Sequence, residues 1–202
     1  MKNFCWIGGC PSGGKTTLSV EISKATNISV YHIDDHLLEY GARLNAMAPE
    51  FHQNVNLNFV DSIVKMPDEP WFSMFISGLK AQCTIILDDV TELFGNDKTI
   101  IEGGVLLPEV IAEIGAEDRA VFVNPTYEYL REYLPKQGWV RYILSCLDDE
   151  NGALFIKRLL YKYNLFREYI IDGAVKYKIK MLTTAASDSL DNNVKMAVQY
   201  FA

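Results

Sequence analysis

Gly9-Cys10-Pro11-Ser12-Gly13-Gly14-Lys15-Thr16 sets glycines, a lysine and a hydroxyl at the spacing G-x-x-x-x-G-K-[ST]. The chemistry open to that pattern is the holding of phosphate oxygens. Glycines leave backbone N–H groups uncovered, and the N-terminus of the helix that follows adds its positive dipole end. Gly9, Ser12, Gly13, Gly14, Lys15, Thr16 and Thr17 are therefore expected to line a nucleoside triphosphate. Lys15 would reach the β- and γ-phosphates, and the Thr16 hydroxyl would help to hold magnesium.

Such a site needs a carboxylate near the loop to order the metal's water shell. Glu102 ends the run Thr99-Ile100-Ile101-Glu102 and is the expected metal-side acid, with capping of the next helix as its other open role. Asp34 and Asp35 follow the run Ile28–Ile33. Asp34 is expected to take the proton of an acceptor hydroxyl and aim its oxygen at the γ-phosphorus; metal support and a helix N-cap are the rival roles. Asp35 is a candidate acceptor contact. Asp88-Asp89 looks superficially like a strand end, but Leu79, Cys83, Ile86, Val90, Leu93 and Phe94 share a helical face. A helix is expected there, with both acids as solvated surface charges.

The elements that must position these groups alternate in type. An apolar run at 3–8 ending in glycine reads as a strand, and Leu18, Ile22 and Ala25 give helical spacing over 16–26. Strands follow at 28–33, 99–104 and 120–123, and the alternation over 175–182 predicts a last one before a closing helix at 194–201, with Ser187 and Ser189 as N-caps. Residues 36–96 read as mostly helical with breaks at Pro49, Pro67 and Pro70, and 126–172 as helical pieces broken near Pro135, Gly138 and 148–152. Strands alternating with helices imply a parallel α/β sheet.

One domain spanning 1–202 is expected from the length, with a packed core from 49% apolar and 22% charged residues. The net charge of −7 offers no general attraction to nucleic acid or anionic lipid. Cys5, Cys10, Cys83 and Cys146 lack zinc-ligand spacing, and neither an apolar leader core nor a run of roughly 20 apolar residues is seen, so a cytoplasmic protein is expected.

The loop at 9–16, Asp34 and Asp35, Ile101-Glu102-Gly103, and Asp148-Asp149-Glu150 followed by Ile156-Lys157-Arg158 and Tyr161 together resemble the P-loop nucleoside, nucleotide and small-metabolite kinases. Adenylate, uridylate, shikimate and gluconate kinases belong to that family. The resemblance implies a three-layer P-loop NTPase fold, with five parallel strands ordered 2-3-1-4-5 between helices. It implies an acceptor insert at about 37–97 and a lid at about 135–165. By position, Arg158 would lie on the transferring phosphate. Arg131 and Arg141 are candidates for the lid's opening half or, equally, solvated arginines covering apolar surface. Thr183 and Thr184 would sit near the base, and Arg43, His52 and Trp71 are candidate acceptor contacts. The implied reaction is Mg2+-dependent transfer of the ATP γ-phosphate to a hydroxyl or phosphate of a small metabolite, nucleoside or nucleotide. The competing reading is an NTPase module coupled to a protein partner; a GTP switch is disfavoured because no N-K-x-D tetrad occurs.

Overall fold

A computed structural model of the chain describes residues 3–47, 59–95, 97–185 and 190–201. Its centre is a five-stranded, all-parallel sheet in the order β2-β3-β1-β4-β5. The strands are β1 (Phe4–Gly8), β2 (Ser29–His32), β3 (Thr99–Glu102), β4 (Ala120–Pro125) and β5 (Lys180–Thr184). β1, β3 and β4 are buried along their whole length, which is why they read as apolar runs and not as alternating patterns. Ile7 is in register with Glu102, and Gly8 with Phe122, so the loop after β1 leaves the sheet level with the ends of its neighbours.

Side chains of β1 point alternately to two helical layers. Cys5 and Ile7 meet Leu18 and Ile22 of α1 (Lys15–Thr26) and Ala197 and Phe201 of α9 (Leu190–Phe201). Phe4 and Trp6 meet Cys83, Ile86 and Val90 of α4 (Asp68–Phe94), Ile111 of α5 (Pro108–Glu113), and Phe166 and Ile170 of α8 (Asp149–Lys176). This is the three-layer P-loop NTPase core. A further cluster, built from helices and a 3-10 turn alone, joins the N-terminal halves of α4 and α8 to α3 (Phe59–Lys65), α6 (Tyr127–Tyr133) and α7 (Gly138–Ser145) through Ile63, Trp71, Leu130, Val140 and Phe155. The remaining helix, α2 (Leu37–Met47), follows a 3-10 turn at Ile33–His36. Among the described residues no helix is long and apolar enough to cross a membrane.

Several local expectations are corrected. The last strand begins at Lys180, not at 175, because α8 continues to Lys176. Lys178 then turns with a positive φ of 58°, and Ile179 N–H donates to the Ala174 carbonyl to close the helix. Val175, counted in the alternation, is 68% exposed. The break expected near 148–152 falls at 146–148, between α7 and α8: Asp148 caps α8 by accepting from the Asn151 N–H, and Gly152 lies inside that helix. Residues 79–94 are helical, yet Leu93 points to solvent, and so does Ala25 of α1. Asp88 is exposed as expected, but Asp89 takes both ends of the Arg43 guanidinium and so ties α4 to α2. Pro49, His52, Ser187 and Ser189 lie outside the described residues.

Candidate active site

The loop between β1 and α1 is folded by contact with β4. Gly9 has φ 125°, and a Cβ there would lie 2.1 Å from the Val123 carbonyl oxygen; a Cβ on Gly13 would lie 2.5 Å from the same atom. Only glycine allows that approach, and it brings the loop's backbone flat against the end of β4. Gly14 enters the helix with φ 84°, and Ser12 also takes the left-handed region at φ 63°. Side chains fix the rest: Cys10 N–H donates to Asn124 Oδ1 at 3.0 Å, Gln137 Nε2 to Ser12 Oγ at 3.3 Å, and Thr184 Oγ1 to the Gly13 carbonyl at 2.6 Å. Burial pushes the Cys10 thiol up to about 12, so this cysteine is a packing group and not a nucleophile.

Lys15 is almost fully buried, and its ammonium folds back to donate to the Cys10 carbonyl at 3.1 Å. That holds the charge in the mouth of the loop. Thr16 Oγ1 lies 3.3 and 3.5 Å from the two oxygens of Glu102, which is 1% exposed. A hydroxyl and a carboxylate at the head of such a loop are hard oxygen donors of the kind magnesium takes from protein, its other places being filled by water and phosphate oxygens. Glu102 Oε2 also accepts from His32 Nδ1 at 2.8 Å. Beyond Glu102 the chain turns through Gly103 and Gly104. Gly104 N–H donates to Asp34 Oδ1 at 3.4 Å, and a Cβ on the same glycine would lie 3.8 Å from Lys15 Nζ. The structure therefore gathers Lys15, Thr16, Glu102 and Asp34 at one edge of the sheet. Asp35 is exposed on the same 3-10 turn as Asp34.

On the other side of the loop a cavity of about 230 Å³ is lined by Gly13, Gly14, Thr17, Tyr129, Tyr133, Thr184 and Asn193 among others. The rings of Tyr129 and Tyr133 stack at 4.1 Å. The other arginines lie elsewhere. Arg158 pairs with Asp68 at 3.1 Å and faces a cavity of about 490 Å³ shared with Tyr127, Lys157, Tyr161 and Arg167, in which no loop residue takes part. Arg131 and Arg141 are exposed, Arg43 is taken up by Asp89, and Trp71 is in the core, stacked on Phe75 at 4.8 Å.

Sequence reasoning passed over His32, Asn124, Gln137 and the tyrosine pair. His32 sat inside an apolar run and Asn124 before a proline, where each read as part of a strand or turn. The Tyr129/Tyr133 spacing of i, i+4 was the one signal available, since it stacks two rings on one helix face.

No protein-family model and no curated protein matches the chain. Solved structures do. TT1252 from Thermus thermophilus has a TM-score of 0.52 at 11% identity, over 97% of this chain and 94% of that one. An uncharacterized protein from Eubacterium ventriosum gives 0.49 at 12% identity, over 100% and 98%. Shikimate kinase from Aquifex aeolicus gives 0.42 at 17%, over 97% and 94%. The likeness to TT1252 is a likeness of fold.

Proposed function

We propose that this chain is a phosphotransferase that moves the γ-phosphate of ATP to a hydroxyl of a small molecule. The observation that carries the reading is the meeting of Lys15 and Asp34 at Gly104, with Thr16 and Glu102 beside them. A loop that only binds nucleotide has no need of an exposed carboxylate beside the phosphate-binding lysine. A transferase does.

In this reading the loop amides and Lys15 hold the triphosphate, and the base occupies the cavity beside Tyr129, Tyr133 and Thr184. Thr16 and Glu102 would hold magnesium, which would supply positive charge against that developing on the phosphates. Asp34 accepts the proton of the acceptor hydroxyl and orients that oxygen. Asp35 flanks the acceptor. Arg158 serves the transferring phosphate once it leaves Asp68 on closure of the lid at about 135–165, and Arg141 within that lid and Arg131 just before it are assigned to its opening half. Residues 37–97 form the acceptor side.

The charge of that insert favours a hydroxyl over a phosphate as the acceptor group. Its three Lys and Arg, namely Arg43, Lys65 and Lys80, are all ion-paired, to Asp89, Asp61 and Glu113. The test is ATP consumption with Mg2+ across a metabolite panel, following ADP and phosphorylated products together. Product that depends on an acceptor supports the transferase. ADP formed equally with every acceptor and with none, and no new product, would point to an NTPase coupled to a partner.

A further inference from the structure

We infer that His32 is a positioning residue that holds the Glu102 carboxylate in its metal-facing orientation. The inference rests on the phosphotransferase reading, in which Glu102 is the acid on the metal side. Glu102 is the last residue of β3 and is 1% exposed, so water does little to orient its carboxylate. Parallel pairing sets His32 of β2 directly opposite it, and the imidazole Nδ1 lies 2.8 Å from Oε2. An ionised carboxylate only accepts, so this contact puts the proton on Nδ1 and selects that tautomer.

The two oxygens of Glu102 thereby become unequal. Oε2 takes the short bond from His32 and the nearer approach of the Thr16 hydroxyl, at 3.3 Å; Oε1 has only the longer 3.5 Å contact with Thr16. The imidazole pins Oε2 and leaves Oε1 as the oxygen with spare accepting capacity, at which a water of the metal shell would be received. Among the described residues His32 makes its polar contact with Glu102 and not with Lys15 or the loop, so it acts through Glu102. Orienting partners of this kind typically change metal affinity by about 10- to 100-fold when they are removed.

The experiment is a fluorescence titration of N-methylanthraniloyl-ATP binding in the full chain, with and without Mg2+, which reads the metal without turnover. Wild-type protein should bind more tightly as Mg2+ is added. His32→Ala should raise the Mg2+ concentration at half-effect by about 10-fold or more, with metal-free affinity changed less than about 2-fold. His32→Asn, whose amide N–H can stand where Nδ1 stands, should restore the wild-type curve; His32→Gln, with its amide one bond further out, should resemble alanine. The Asn/Gln comparison keeps the test decisive even where alanine destabilises the fold. A wild-type Mg2+ response with unchanged curves in all three variants would overturn the role of His32 alone. A wild-type titration flat in Mg2+ would overturn the metal-side reading of Glu102 and this inference with it.

Discussion

Lys15 and Asp34 both approach Gly104, and their proposed partners differ, which makes their contributions separable. In the proposed reaction Lys15 meets the nucleotide in the ground state and in the transition state. Lys15→Ala should therefore abolish transfer and weaken ATP binding together. In the same proposal Asp34 meets only the acceptor, and an amide in its place keeps the Gly104 hydrogen bond while losing the base. Asp34→Asn should leave nucleotide affinity near wild type and lower kcat by about 10²-fold or more. Isothermal titration with ATP beside steady-state kinetics checks both, and full activity in Asp34→Asn would remove that residue from the reaction. The loop between β1 and α1 was legible because its glycine spacing is what lets its backbone press against Val123. His32 and Asn124 were not, since each acquires its partner through strand register across 70 and 114 residues of chain, which no local pattern records.

Among the elements, α8 shows best where reading from sequence stops. Its apolar face through Phe155, Leu159, Phe166 and Ile170 was visible as helical spacing, but its length and the late start of β5 were not, because the positive φ at Lys178 is carried by a lysine and not by the usual glycine. The same helix holds Lys162, which is fully buried and donates to the Ser62 and Met66 carbonyls at 3.2 and 2.8 Å, pinning the α3–α4 junction. Burial lowers its pKa to about 8 from the ordinary 10.5, with Asp68 opposing the shift and Arg158 adding to it. Between those two values the unfolded chain holds the proton and the folded chain releases it. Folding stability is thus raised by this group as pH climbs from about 8 to about 10.5, and below about 8 the cost of burying the charge is constant. Wild type should gain stability relative to Lys162→Met over that window alone, as read by urea unfolding at successive pH values; parallel curves would place the titration elsewhere. Arg158, one turn earlier, rests on Asp68. Arg158→Ala should cut kcat by about 10²-fold with little change in ATP affinity if closure delivers the guanidinium to the transferring phosphate.

Across the whole molecule, the acidic balance is concentrated in one place. Residues 37–97 hold nine Asp and Glu against three Lys and Arg, an excess of six within a chain whose net charge is −7. Those three cations are already matched: Arg43 with Asp89, Lys65 with Asp61 at 2.9 Å and Lys80 with Glu113 at 3.3 Å. An acceptor bearing phosphate would enter a negative field and find no spare cation among the described residues of the insert, and like charges cost more as water is excluded. A neutral or amine-bearing alcohol meets no such penalty, and Asp34 and Asp35 suit it. Paired acceptors, each an alcohol and its own phosphomonoester, should therefore differ by at least about 10-fold in kcat/KM in favour of the alcohol. For an amine-bearing alcohol, KM should also rise with added salt, since screening over roughly 10 Å at 0.1 M weakens the attraction. A preference for the phosphomonoester would instead mean that the cations of α8, Lys157 and Arg167, read the acceptor across the larger cavity.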